Sequence, residues 1–247
     1  MAKPISVESL LRAHFAAARH ERMSAAGSSV GAADRLAVRM WQQARLAATH
    51  TTLLKSPQYG PAATFFLTEL YSTADLTQRD ADIERVIKIL VKFLPDKALR
   101  TLAAALEMDA LSERMDGLMA AQMRSDQMSG KPLVITEQSY EAAYRAMGQF
   151  DLRLRQIELT AEIGLALDKL SRLPLLRGLL RMMSRPAQIG GVGGLHAFLE
   201  RGYSAFAHMG DAKDFVNAIV AEEREEHVRL TQRDQPKIGR ASCRERV

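Results

Sequence analysis

Glu158 and Glu162 stand four positions apart, in a segment otherwise patterned by Ile157, Ile163 and Leu165. Two carboxylates one turn apart on a helix repel by roughly 0.2–0.5 kcal/mol unless something neutralises them. A metal ion or a bridging arginine would do so, which makes the pair a candidate metal site. The six histidines, His14, His20, His50, His196, His208 and His227, include no two at i, i+4 and no HExxH, the spacing that puts two zinc ligands on one helical face. No Glu-x-x-His unit of the kind used by di-iron bundles is present either. Single axial ligation of haem needs only one imidazole. His50, three residues after Ala47 near the apolar stripe of a long helix, and His14, beside Phe15, are the candidates for cofactor binding, and no CxxCH attachment motif accompanies them. Glu223 and His227 share a helix face, but Glu222, Glu225 and Glu226 surround them, so a solvated ion pair is expected.

Arg177, Arg181 and Arg185 repeat every four residues in LSRLPLLRGLLRMMSRP. That spacing places them along one helix face, with Leu175, Leu176, Leu179, Leu180, Met182 and Met183 covering much of the rest. Such an amphipathic helix suits docking on another protein, contact with an anionic membrane surface, or simple packing with a solvated edge. Aromatic residues do not interleave with the arginines, and stacking platforms for nucleic acid require them. Gly190, Gly191, Gly193 and Gly194 lack the GxGxxG order and the Lys-Ser/Thr ending of phosphate-binding loops, so a hinge between helices is expected. FFLTELYSTADLTQRDADIER, from Phe65 to Arg85, combines paired aromatics with Arg79, Asp80, Asp82, Glu84 and Arg85, a charged junction between helices. This region resembles uncharacterised bacterial all-helical proteins, a likeness that supplies no catalytic residue.

The elements that must position these groups are helical throughout. Leu11, Phe15 and Ala18 form a stripe in a helix from Ser6 to about Met23, and Ala25–Gly31 supplies a small-residue connection. A long helix from Ala33 to Leu54 follows, with Leu36, Met40, Ala47 and Leu54 along its apolar side. Pro57, Gly60 and Pro61 break the chain. Thr77 and Asp80 have capping spacing ahead of Ile83, Val86, Ile87, Leu90 and Phe93. A helix beginning near Pro95 runs through Leu99, Leu102 and Leu106 into Met115, Met119, Met123 and Met128, methionines that suit core filling. Thr136 caps a helix reaching Met147, Leu152–Leu170 forms another, Pro174 and Pro186 bracket a short one, and Leu195–Met209 and Ala212–Leu230 complete the set. Val134 and Ile135 are too short a run for a sheet. The fold class expected is all-α, one globular bundle of about eight to ten helices. It spans residues 1–236, with a break near 128–132 that would separate two closely packed layers.

The last eleven residues, Lys237–Val247, resemble the translation of a short-read sequencing adapter, and a fusion scar is set aside before fold reasoning. The expectation is then that the natural C-terminus lies beyond Pro236. The whole chain carries 34 Lys and Arg against 29 Asp and Glu, a net charge of +5. Without the tail's four basic residues and Glu245 the balance is 30 against 28, or +2. A basic surface for nucleic acid is thus not expected. Cys243 lies in the tail, so a cysteine-free protein is expected, without disulfides or thiolate chemistry. No secretory signal or spanning segment is evident, and a cytoplasmic location is expected. These features point first to a helical interaction or regulatory protein, with a protein partner or a second copy of itself. The alternatives are a metal- or haem-dependent oxidoreductase with a buried histidine and carboxylate site, and a peripheral membrane-associated protein. Which cofactor an enzyme would carry stays open.

Overall fold

Leu11, Phe15 and Ala18 recur at the spacing of a single helical face and are buried in α1 (Val7–Ala26). They meet Leu99, Ala103 and Leu106 at the start of the longest helix, α5 (Asp96–Ser125), with Ile87 completing the cluster. The computed structural model describes residues 6–26, 29–71, 87, 90–92, 94–125, 127, 131–190 and 193–232. The proposed cap at Thr77 and Asp80, the charges from Arg79 to Arg85, Met128, Gly191, Val192 and the tail 237–247 lie outside them. Cys243 is nonetheless a residue of the chain. The expectation of a cysteine-free protein is corrected accordingly, since it followed only from setting the tail aside.

The described residues form ten α-helices and one π-helical segment in a globular all-helical bundle. Between α1 and α5 come α2 (Ser29–Thr49), the short α3 (Thr51–Lys55) and α4 (Gly60–Phe65), which runs into a π-helical turn at Phe66–Leu70. After α5 follow α6 (Glu137–Met147), α7 (Phe150–Ser171), α8 (Pro174–Ile189), α9 (Gly193–Met209) and α10 (Lys213–Thr231). Local chemistry sets several ends. The Thr136 hydroxyl accepts from the Ser139 amide at 3.1 Å while the Ser139 hydroxyl accepts from the Thr136 amide at 2.9 Å, a reciprocal cap for α6. Gly148 ends the same helix at φ 63°, a left-handed conformation that glycine adopts without a Cβ penalty. Helix α8 passes Pro186 and ends at Ile189.

Two further apolar clusters complete the core. Met119 and Met123 of α5 pack with Val38, Tyr140, Tyr144 and Leu230, so these methionines serve as interior filler. Phe65, Phe206, Met209, Phe215 and Val216 form the other cluster between α4, α9 and α10. There a Cβ on Gly164 would stand 2.6 Å from the Val216 side chain, so α7 and α10 approach too closely for a larger residue.

Helix α2 departs from the expected pattern. Leu36 and Met40 are 44 % and 57 % exposed, while Asp34, Val38 and Gln42 are buried. The helix has turned its polar side inward. Hydrophobic patterning alone predicts the opposite; the reason lies in what faces it. Among the described residues no helix is long and apolar enough to cross a membrane.

Candidate functional site

Asp109, Glu113 and Asp116 occupy positions i, i+4 and i+7 of α5 and therefore share one face. Arg35, Arg39 and Gln42 do the same on α2, and the two faces meet. Glu113 accepts from Arg39 Nη2 at 2.8 Å, Arg35 Nη1 at 3.1 Å and Arg22 Nη1 at 3.3 Å. Arg22, from α1, also reaches Asp109 at 3.0 Å. Asp116 accepts from Gln42 Nε2 at 2.7 Å, the Tyr71 hydroxyl at 3.1 Å and Arg39 Nε at 3.2 Å. Gly117 leaves room for this arrangement, because a Cβ there would stand 2.5 Å from the Arg35 guanidinium. Charges removed from water are costly, and complete pairing is what makes their burial tolerable. The two carboxylates respond differently. Burial pushes Glu113 up, but Arg39, Arg22 and Arg35 together outweigh it and hold the group below the usual carboxylate range. Burial prevails at Asp116, raising it despite Arg39 and Arg153. Burial also raises the Tyr71 hydroxyl.

A second layer of polar groups continues between α2, α6, α7 and α10. Arg45 grips Glu223 through both terminal nitrogens, at 3.0 and 2.9 Å. Burial acts to raise Glu223, yet its hydrogen bonds to His50 and Arg45 hold it at about 2. His50 is buried, with Nδ1 2.6 Å from Glu222 and Nε2 3.0 Å from Glu223. An axial haem bond needs one of those ring nitrogens, and both already face carboxylate oxygens. The other haem candidate, His14, is half-buried on α1, and no hydrogen bond or ion pair joins it to His50, Glu158 or Glu162 among the described residues.

Glu158 and Glu162 stay on the surface, each about half exposed, with Arg155 between them at 3.6 and 2.8 Å. Of the two ways to relieve their repulsion, the structure uses the arginine. Arg155 also pairs with Glu107 at 2.8 Å, tying α7 to α5. The expected Glu223–His227 pair is corrected: His227 is buried, its Nδ1 is 2.7 Å from the Tyr144 hydroxyl, and Glu223 has turned to Arg45. Burial, then the Arg153 charge, lower the His227 pKa. Among the described residues no group of three or more His, Cys, Asp or Glu side chains is placed to hold a metal ion.

Arg177, Arg181 and Arg185 are all exposed on α8. No carboxylate pairs with any of them among the described residues. Arg177 and Arg181 border a groove of about 970 Å³ walled by Phe65, Thr68, Leu180 and Tyr203. A smaller adjoining depression of about 470 Å³ brings Arg172 beside them at the start of α8. Glu69 and Glu200 also line the groove, where Glu69 holds Arg201 at 2.7 Å. Leu176, Leu179, Leu180 and Met183 are half-buried, whereas Met182 is 73 % exposed. No α8 side chain belongs to the three core clusters of described residues, so this helix is held on the outside of the bundle.

The family model "Domain of unknown function (DUF8198)" matches residues 21–237. The chain belongs to the DUF8198 family. No curated protein and no solved structure matches it. The DUF8198 region contains both the interior network, from Arg22 to His227, and the α8 arginines. Reading by residue type singled out the α8 arginines but, of the interior network, only His50, Glu223 and His227. The signal for the rest was available in the DUF8198 segment itself, as acids at 109, 113 and 116 among apolar neighbours and cations at 35 and 39 flanking Val38.

Proposed function

We propose that this domain is a docking module that receives an acidic helical segment of a partner protein along α8. One observation carries the reading: three exposed arginines, one helical turn apart, have no carboxylate partner among the described residues, and two of them, Arg177 and Arg181, border an open groove. An acidic residue at each turn of an opposing helix would match that spacing, as complementary charges set partner choice across paired helices. The exposed Met182 adds an adaptable apolar contact. A protein segment fits better than a lipid surface. Leu176, Leu179, Leu180 and Met183 of α8 are half-buried, leaving, among its described apolar residues, only Met182 and Ile189 strongly exposed to enter acyl chains, and Glu69 and Glu200 in the groove wall repel anionic headgroups.

The test uses a labelled helical peptide with glutamate at every fourth position, titrated against the protein in parallel with phosphatidylserine vesicles. Saturable peptide binding that weakens with salt and is lost in the double variant Arg177→Glu, Arg181→Glu supports the reading. Equal binding by that variant, or retention on vesicles without peptide binding, overturns it.

A further inference from the structure

The interior network has one place where donors outnumber acceptors. Arg153 donates through Nη1 to Gln156 at 3.1 Å, but its Nε and Nη2 are buried with no partner. Those two N–H groups form one edge of the guanidinium, the parallel fork that takes both oxygens of a carboxylate or two of a phosphate. Arg45 spends its terminal nitrogens on Glu223 and leaves Nε buried without an acceptor. Tyr140, only 1 % exposed, makes no hydrogen bond through its hydroxyl to any described residue. The three residues come from α7, α2 and α6, and Arg45 stands one helical turn from Trp41, whose ring stacks on Tyr140. The Arg153 guanidinium lies 5.5 Å from the Tyr144 ring centre, and the Tyr144 and Tyr140 rings are 6.2 Å apart. Burial raises the Tyr140 hydroxyl pKa, and the charges of Arg153 and Arg45 oppose that rise. Asp116, the nearby interior carboxylate, is already engaged by Gln42, Arg39 and Tyr71.

Native proteins rarely leave several buried donors unsatisfied, because each costs its full desolvation penalty. A water molecule would accept from two of these groups but bring two further donors into a place already rich in them. An anion brings only acceptors, along with charge that opposes the guanidiniums. We propose that Arg45, Tyr140 and Arg153 bind a small oxyanion, a carboxylate or a phosphate, with two of its oxygens on the free edge of Arg153. This site is separate from the α8 groove and does not depend on what that groove binds.

The protein contains its own reporter. Its single tryptophan, Trp41, stacks on Tyr140 with ring centres 3.9 Å apart, so a ligand on the Tyr140 hydroxyl alters Trp41 emission. The full chain is titrated with acetate and with inorganic phosphate at constant ionic strength, chloride serving as the control. Saturable change with acetate alone identifies a carboxylate site, and change with phosphate a phosphate site. Arg153→Lys keeps the charge but loses the parallel fork and is expected to weaken binding at least about ten-fold. Tyr140→Phe removes only the hydroxyl and provides the readout should the lysine variant misfold, with an expected loss of about five-fold. The double variant Arg177→Glu, Arg181→Glu is expected to bind the anion as the parent does. No saturable response to either anion, or a response unchanged in both Arg153→Lys and Tyr140→Phe, overturns the proposal.

Discussion

Arg35 and Arg39 on α2 are spaced like Arg177 and Arg181 on α8, four residues apart on a helix with apolar neighbours. Their fates are opposite. On α2 the guanidiniums lie inside the bundle, meeting Glu113 and Asp116 on α5. On α8 the arginines face outward, with no carboxylate opposite them among the described residues. The difference teaches that the spacing of cations identifies a face but not its direction. What turns the face inward is a matching set of acids on another helix. Without that set, burial would strand the charges at a cost of several kcal/mol each, so the helix keeps them in water.

The comparison can be broken at its strongest point first. Glu113→Gln removes the carboxylate shared by Arg22, Arg35 and Arg39, and the expected destabilisation is about 3–5 kcal/mol in urea unfolding. A loss below about 1 kcal/mol would mean that the interior arginines are as independent of their partners as those on α8.

Acid provides the next test. Glu223 sits at about 2 in the folded protein, below its ordinary value near 4.5. It therefore binds its proton more weakly when folded, and its contribution is complete above about pH 4.5 and vanishes as pH falls towards 2. Glu113 acts in the same direction. Asp116, raised by burial, acts in the opposite one and gains stability on protonation. Urea midpoints measured between neutral and acid pH are expected to fall for the parent chain. In Glu223→Gln the same curve should be flatter by up to about 3 kcal/mol, and an unchanged slope would remove Glu223 from the network.

The surface side predicts small effects on folding. The double variant Arg177→Glu, Arg181→Glu is expected to change stability by less than about 0.5 kcal/mol while abolishing acidic-peptide binding. A large loss of stability would show that the α8 arginines have interior partners after all. The single changes Leu36→Lys and Met40→Lys on the exposed side of α2 should each alter stability in thermal unfolding by less than about 0.5 kcal/mol. Were either to unfold the protein, the inward polar face of α2 would be wrong.

Much of the helical framework was legible in the residues. The stripe Leu11, Phe15, Ala18, the cap at Thr136 and the stop at Gly148 depend on neighbours within one or two turns, and all appear where the pattern puts them. Met115, Met119 and Met123 are interior, as their spacing along α5 suggests. The orientation of α2 was not legible, because Leu36 and Met40 carry the stronger apolar signal and yet lie outside. Likewise, Glu223 and His227 share a helix and looked like partners, but Arg45 and Tyr144 on other helices compete for them.

By itself the sequence determined an all-helical chain, several of its helix ends and the shared face of Arg177, Arg181 and Arg185, because backbone hydrogen bonding, capping and helical periodicity are local. Only the tertiary structure decided which charges are interior. Arg35 finds Glu113 at a separation of 78 residues, Tyr71 finds Asp116 at 45, and His50 finds Glu222 at 172. A buried charge is tolerated only where an opposite charge or a donor meets it in space, and helical periodicity carries no information about that meeting.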